Sequence, residues 1–118
     1  MSGKSQSQRQ LRVGERVRHI LSSIFIRGAF HHPYLRGKSI TVSQVKVSPD
    51  IRHATAYVTE LGEDQSPELI EALNECAPDI SYEVAQEMTT KYTPKISFEY
   101  DLSFKKADRI EEILDDVL

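Results

Sequence analysis

The 118-residue chain has one cysteine, no tryptophan, five glycines and five prolines. A lone Cys76 excludes an internal disulfide and a cysteine-built zinc site. No unbroken apolar run is longer than three residues, as at Ile24-Phe25-Ile26, so no segment reads as a membrane-spanning helix. The first residues are rich in Ser and Gln and carry no apolar h-region, so no secretory signal is expected. There is no P-loop, no Gly-rich dinucleotide loop and no Gly-x-Ser-x-Gly. His31-His32 with His19 is a poor metal set, because adjacent histidines do not easily share tetrahedral positions. Cys76 lies on an apolar helix face and reads as a packed thiol rather than a nucleophile. No metal, no cofactor and no enzymatic activity are expected.

What remains is an ordinary globular composition with an unusual distribution of charge. With 28% charged and 39% hydrophobic residues, one folded domain fits the length and disorder throughout does not. The net charge is −3, but the signs are segregated. Residues 1–38 carry Lys4, Arg9, Arg12, Arg16, Arg18, Arg27, Arg36 and Lys38 against Glu15 alone. Residues 63–91 carry Glu63, Asp64, Glu68, Glu71, Glu75, Asp79, Glu83 and Glu87 against Lys91 alone. An acidic total argues against a nucleic-acid partner, and a segregated basic third reopens it.

Residues 1–8 are small and polar and read as a flexible lead-in to a single domain over 9–118. Val13, Val17, Ile20, Leu21 and Ile24 form one helical stripe, with Gly28 as a stop. Gly14 would soften the first turns, at about 1 kcal/mol relative to Ala. Ile40 and Val42 alternate on even positions and Val45 and Val47 on odd ones, which predicts a bulge near Ser43 or Gln44. Ser48-Pro49-Asp50 is turn chemistry, and Ala54, Ala56 and Val58 line the next strand, so an antiparallel hairpin follows. Ser66 and Pro67 are suited to N-cap and first helical position. Leu69, Leu73, Cys76 and Ala77 continue that helix until Pro78, where a break is expected before a second helix from Asp79. Ile96, Phe98 and Tyr100 alternate as a third strand, expected beside the first, and Ser103 opens a last helix. The order α-β-β-α-kink-α-β-α predicts a two-layer α+β domain, a three-stranded sheet with helices on one face.

That order matches the type II KH topology, and particular residues resemble the ribosome-binding factor A family. The resemblance covers roughly residues 9–117. It rests on Arg12-Val13, on Pro33-x-Leu35 and on Thr41-Val42-Ser43-x-Val45-x-Val47-Ser48-x-Asp50 leading into Ala54-x-Ala56-Tyr57-Val58. It rests further on Pro94-x-Ile96-x-Phe98-x-Tyr100-Asp101-x-Ser103 and on Arg109-Ile110-x-x-Ile113-Leu114. In that family an Ala-x-Gly marks a kink between two helices; here the kink positions read Cys76-Ala77-Pro78. Where relatives carry basic residues after the kink, this chain has Asp79, Glu83 and Glu87. The resemblance implies a monomeric binding factor of the bacterial cytoplasm, not an enzyme. It implies binding to the free small (30S) ribosomal subunit and its 16S rRNA. It also implies help with late maturation, including the 16S 5′ end, and support of growth in the cold.

Candidate contacts follow from the charge map. Arg9, Arg12, Arg16, His19 and Arg27 share one flank of the first helix beside its apolar stripe, with Arg18 on the other side. Such a row suits phosphate contact, or else forms a solvated helix face with surface ion pairs; the resemblance favours RNA. Arg36 and Lys38 precede the first strand, Lys46 and Arg52 flank the hairpin turn, and Lys91 and Lys95 bracket the approach to the third strand. Tyr57, Phe98 and Tyr100 are expected to pack under helices, while Phe30 and Tyr34 either stack on a base or cover a core edge. Glu68 and Asp79 suit helix starts. The alternative reading of the acids is a face turned from RNA or toward a basic ribosomal protein. The rival function is a protein-interaction domain that docks a basic partner through this acidic helix pair without touching RNA.

Overall fold

A computed structural model describes residues 6–28, 32–35, 37–60, 66–88 and 93–102. Helix α1 spans Gln8–Arg27, a 3₁₀ turn spans Pro33–Leu35, and strands β1 and β2 span Ile40–Val47 and His53–Glu60. Helix α2 spans Pro67–Glu87 and strand β3 spans Lys95–Tyr100. The helix expected from Ser103 lies outside the described residues.

The expected stripe of α1 is buried in full, from Val13 to Ile24. The helix begins with a capping box: Ser7 Oγ accepts the Gln10 N–H at 3.1 Å, and Gln10 Oε1 accepts the Ser7 N–H at 2.8 Å. The Gln10 amide also donates to the Val47 carbonyl at 2.7 Å, and the Val47 N–H donates to Gln6 Oε1 at 3.2 Å. Gln6 is therefore tied to the end of β1, and Gln8 opens α1. Polar side chains do here what the absence of apolar ones seemed to forbid: they satisfy open backbone groups at a helix start and a strand end. Gly28, at φ 65°, closes the helix with its N–H shared between the Ile24 and Phe25 carbonyls. Gly14 is buried against β1, where a Cβ would stand 2.8 Å from the Val45 carbonyl oxygen. It lets helix and strand backbones meet rather than leaving a soft turn.

The sheet order is β1-β2-β3. β1 and β2 pair antiparallel, and the register shifts between Val42 and Gln44, so Ser43 is the bulged residue, as the parity change predicted. β3 pairs with β2 in parallel, not with β1. The cause is coverage. α1 occupies the face above β1, so α2 must return the chain on the far side of β2, and a parallel neighbour is what a helical crossover produces. Ala54, Ala56 and Val58 of the central strand are fully buried, and their small size lets both helices close over the sheet. Phe25 of α1 reaches Phe98 of β3, with ring centres 6.0 Å apart. Helices on one face of a three-stranded sheet make the expected two-layer α+β domain, in keeping with a KH-like description.

α2 is one helix through Pro78, so the expected break into two helices does not occur at Cys76-Ala77-Pro78. Proline removes one bond, to the Asn74 carbonyl, at a cost of about 3 kcal/mol in an isolated helix. Packing overrides that cost, because Leu69, Leu73, Ala77, Ile80 and Val84 lie on one buried stripe across the proline. Asp79 is therefore mid-helix rather than at a helix start. Asn74 and Ser81 tie α2 to β3. The Asn74 side chain donates to the Phe98 carbonyl at 3.2 Å and accepts the Phe98 N–H at 2.9 Å, and Ser81 Oγ accepts the Ile96 N–H at 3.2 Å. Backbone groups of β3 that would template another strand are thus occupied. Ser66 sits at the N-cap, but its side chain makes no cap bond and pairs instead with the Tyr34 hydroxyl at 3.1 Å.

Candidate nucleic-acid interface

Topology sorts the charges along the strands. Gln10 of α1 is bonded to Val47, so the N-terminal half of α1 lies at the hairpin-turn end of the sheet. Lys46 pairs with Thr55 at that end, and Lys95 pairs with His53. The Lys95 N–H donates to the Arg52 carbonyl at 2.8 Å. Arg9, Arg12, Lys46, Arg52 and Lys95 are thereby gathered around one end of the domain, all exposed. α2 starts at the opposite end, where the Tyr100 hydroxyl holds Ser66, so exposed Glu68, Glu71 and Glu75 lie away from the basic end.

The turn that presents Arg52 is built by hydrogen bonds. The Ile51 N–H donates to the Ser48 carbonyl at 2.9 Å, and the Ser48 N–H to the His53 carbonyl at 2.8 Å. Asp50 accepts from the Ser48 hydroxyl at 2.6 Å and from the Arg52 N–H at 3.1 Å, and these bonds hold its carboxyl below its ordinary pKa. Ile51 has φ 60°, a costly conformation for a β-branched residue, and is held there by burial of its side chain.

The remaining sequence candidates divide. Arg16 is exposed and reaches the Glu87 carbonyl at 3.4 Å, a weak contact with the C-terminus of α2. Lys38 is structural: its Nζ lies 3.3 Å from Glu60, whose side chain is 5% exposed, and 4.6 Å from the centre of the Tyr34 ring. Tyr34 therefore covers a core edge. Arg36, Lys91 and Phe30 lie outside the described residues. Arg18 is held by Glu15 through two bonds of 2.9 and 3.0 Å, which lower the Glu15 pKa and raise that of Arg18. Arg27 approaches Glu83 at 3.9 Å and Glu87 at 4.0 Å, so the second half of the acidic helix lies beside the basic one. Such exposed pairs add little stability, but they do offset charge locally.

Among the aromatics, Phe98 is buried as expected, whereas Tyr57 faces the open side of the sheet with Lys46 Nζ 5.7 Å from its ring centre. Burial, then the charges of Glu99 and Asp101, push the Tyr57 pKa up. Burial, Asp79 and Glu75 likewise raise the Cys76 thiol, the opposite of what a nucleophile needs. Among the described residues no three His, Cys, Asp or Glu side chains are gathered in a way that could hold a metal ion. No described helix is long and apolar enough to cross a membrane.

Sequence reasoning missed Tyr82. It lines an open groove of about 520 Å³ with Ile51, Arg52, Pro78, Pro94 and Lys95. Its signal in the sequence was an aromatic at a helix position off the apolar stripe.

The fold and this basic end define a small α+β binding domain with a cationic edge. The sequence model of the ribosome-binding factor A family matches residues 9–114, and the chain belongs to that family. It is 44% identical over 113 residues to a ribosome-binding factor A from Paracoccus denitrificans, covering 96% of this chain and 82% of that one. The relative from Phenylobacterium zucineum is 43% identical over 110 residues, covering 93% and 76%. The fold is similar to the crystal structure of ribosome-binding factor A from Thermus thermophilus, with a TM-score of 0.62 at 15% identity over 77% of this chain and 94% of that one. It is also similar to a Thermus thermophilus homology model fitted into a cryo-EM map of a 30S complex with that factor. That match has a TM-score of 0.58 at 16% identity and covers 75% and 91%.

Proposed function

We propose that this chain binds the free small ribosomal subunit by laying the hairpin-turn end of the domain on folded 16S rRNA. The observation that carries the reading is the convergence of Arg9, Arg12, Lys46, Arg52 and Lys95 from separate elements onto that end. Folded RNA is held mainly through phosphates and shape, and a rigid set of cations on a packed scaffold suits that task. The 30S complex of the Thermus thermophilus relative supports the choice of subunit. On this reading the protein is a monomer of the bacterial cytoplasm that acts by binding. It assists late subunit maturation, including processing of the 16S 5′ end, supports growth in the cold and leaves before translation begins.

Co-sedimentation with separated small subunits and with assembled ribosomes tests this. Binding should be confined to free small subunits, fall steeply with salt and protect discrete 16S positions. Salt-insensitive binding without RNA protection would overturn it. That outcome would assign the interaction to the acidic first half of α2 and a basic ribosomal protein.

A further inference from the structure

We infer that the open face of the sheet holds an arginine side chain of a basic partner protein, stacked on the Tyr57 ring and paired with Glu99. The inference is separate from RNA contact at the basic end. It rests on the proposed subunit binding only in expecting that partner on the same particle. The helices bury Ala54, Ala56 and Val58 of β2, so Tyr57 stands on the opposite face. Gln44 of β1 and Glu99 of β3 are its cross-strand neighbours. These three residues, with Lys46, Asp101 and Leu102, line a cavity of about 350 Å³. That volume is at the low end of ligand sites and suits one long side chain.

The ring already draws a cation, since Lys46 Nζ lies 5.7 Å from its centre, near the outer limit of a cation–π contact. A planar guanidinium stacks on such a ring better than an ammonium does, and it donates to a carboxylate through two parallel N–H groups. Glu99 is exposed and, among the described residues, has no ion-pair partner. Leu102, 50% exposed, offers an apolar wall to the methylene stem of an arginine. Asp101 is buried and accepts the Ser43 hydroxyl, which fixes a second carboxylate at the cavity. Burial, then the charges of Glu99 and Asp101, push the Tyr57 pKa up, so the phenol sits in a negative potential. A phosphate would be repelled there, which sets this face apart from the basic end. Lys46 is exposed and flexible, and it can leave the ring when an arginine takes its place.

The test titrates the full chain with a short peptide of alternating Arg and Gly, with its Lys counterpart and with a short single-stranded RNA. The amide resonances of Gln44, Tyr57 and Glu99 report occupancy of the face. The Arg peptide should shift them and bind about fivefold more tightly than the Lys peptide. Glu99→Gln and Tyr57→Ala should each erase that preference, and Tyr57→Phe, which keeps the ring, should retain it. Lys46→Ala should bind the Arg peptide at least as tightly as the wild type, because a competing cation is gone. Glu99→Gln and Lys46→Ala change exposed side chains, so they decide the matter if Tyr57→Ala fails to fold. Equal affinity for the two peptides would overturn the inference, as would an unchanged preference in Glu99→Gln or weaker peptide binding by Lys46→Ala. Stronger shifts of these resonances by the RNA would overturn it too, as would peptide shifts confined to Glu68, Glu71 and Glu75. Any of these results, with wild-type sedimentation on small subunits intact, would leave the broader function standing. Failure of the wild type to sediment would reject that function, while the peptide titration still decides the arginine site.

Discussion

The Tyr100 hydroxyl donates to the Ser66 carbonyl at 2.7 Å and accepts the Ser66 N–H at 2.8 Å. One side chain at the end of β3 thus satisfies both backbone groups of the residue that opens α2. Ser66 Oγ is free to pair with Tyr34 because the cap position is held in this other way. Tyr100→Phe removes the clamp without changing the ring. We expect a loss of about 1 to 2 kcal/mol, read as a lower urea midpoint at unchanged slope. Binding to small subunits at low temperature should be unaltered.

Gly14→Ala separates helix propensity from packing. In an exposed helix the change would stabilise by about 1 kcal/mol. Here the new Cβ would meet a backbone oxygen, Val45 O, at 2.8 Å, and backbone does not step aside as a flexible side chain does. Overpacking of this kind costs about 1 to 3 kcal/mol, so the net effect should be a lower melting temperature.

Reversal of charge at Arg9 and Arg12 should weaken subunit binding at least tenfold at low salt, with an unchanged circular dichroism melt. Both side chains are exposed, and the packed stripe beside them is untouched. The slope of log affinity against log salt should fall by about the share of two phosphate contacts. Lys38→Ala should behave in the opposite way. It leaves the nearly buried Glu60 carboxylate without its cation, so stability should fall by about 1 to 3 kcal/mol while the salt slope stays the same.

Asp50 ties the acid sensitivity of the hairpin turn to one carboxylate. Its folded pKa lies below the ordinary 3.8, chiefly through the Ser48 hydroxyl and then the Arg52 N–H. A depressed carboxyl contributes stability above its unfolded pKa and loses it as pH falls through the folded value. Asp50→Asn should therefore match the wild type more closely at pH 2 than at pH 7, in denaturant melts at both values. A gap that widens toward acid would reject this account.

Local pattern carried much of the fold. The buried stripe of α1, the bulge at Ser43, the hairpin, the αL stop at Gly28 and the proline start of α2 all follow from spacing and turn chemistry. Pro78 did not obey its local rule, because the cost of one missing bond is smaller than the gain from an unbroken buried stripe. Ser43 shows another limit. Its bulge could be foreseen, but not its hydrogen bond to the buried Asp101, which lies beyond the end of β3.

The candidate site was legible residue by residue and not as a site. Charge segregation in the chain pointed to the basic third, and Arg9, Arg12, Lys46, Arg52 and Lys95 could be named from position alone. Their convergence depends on α1 running antiparallel to β1 and on β3 lying beside β2. Lys38 was drawn into a partly buried pair with Glu60, a contact no sequence window contains. What the sequence determined by itself was therefore which segments are helix or strand and which faces they bury, since these follow from periods of 3.6 and 2. The tertiary structure decided strand order, the continuity of α2, the pairing of each cation and the groove at Tyr82. These depend on long-range packing, which sets the residues free for a ligand apart from those the fold itself uses.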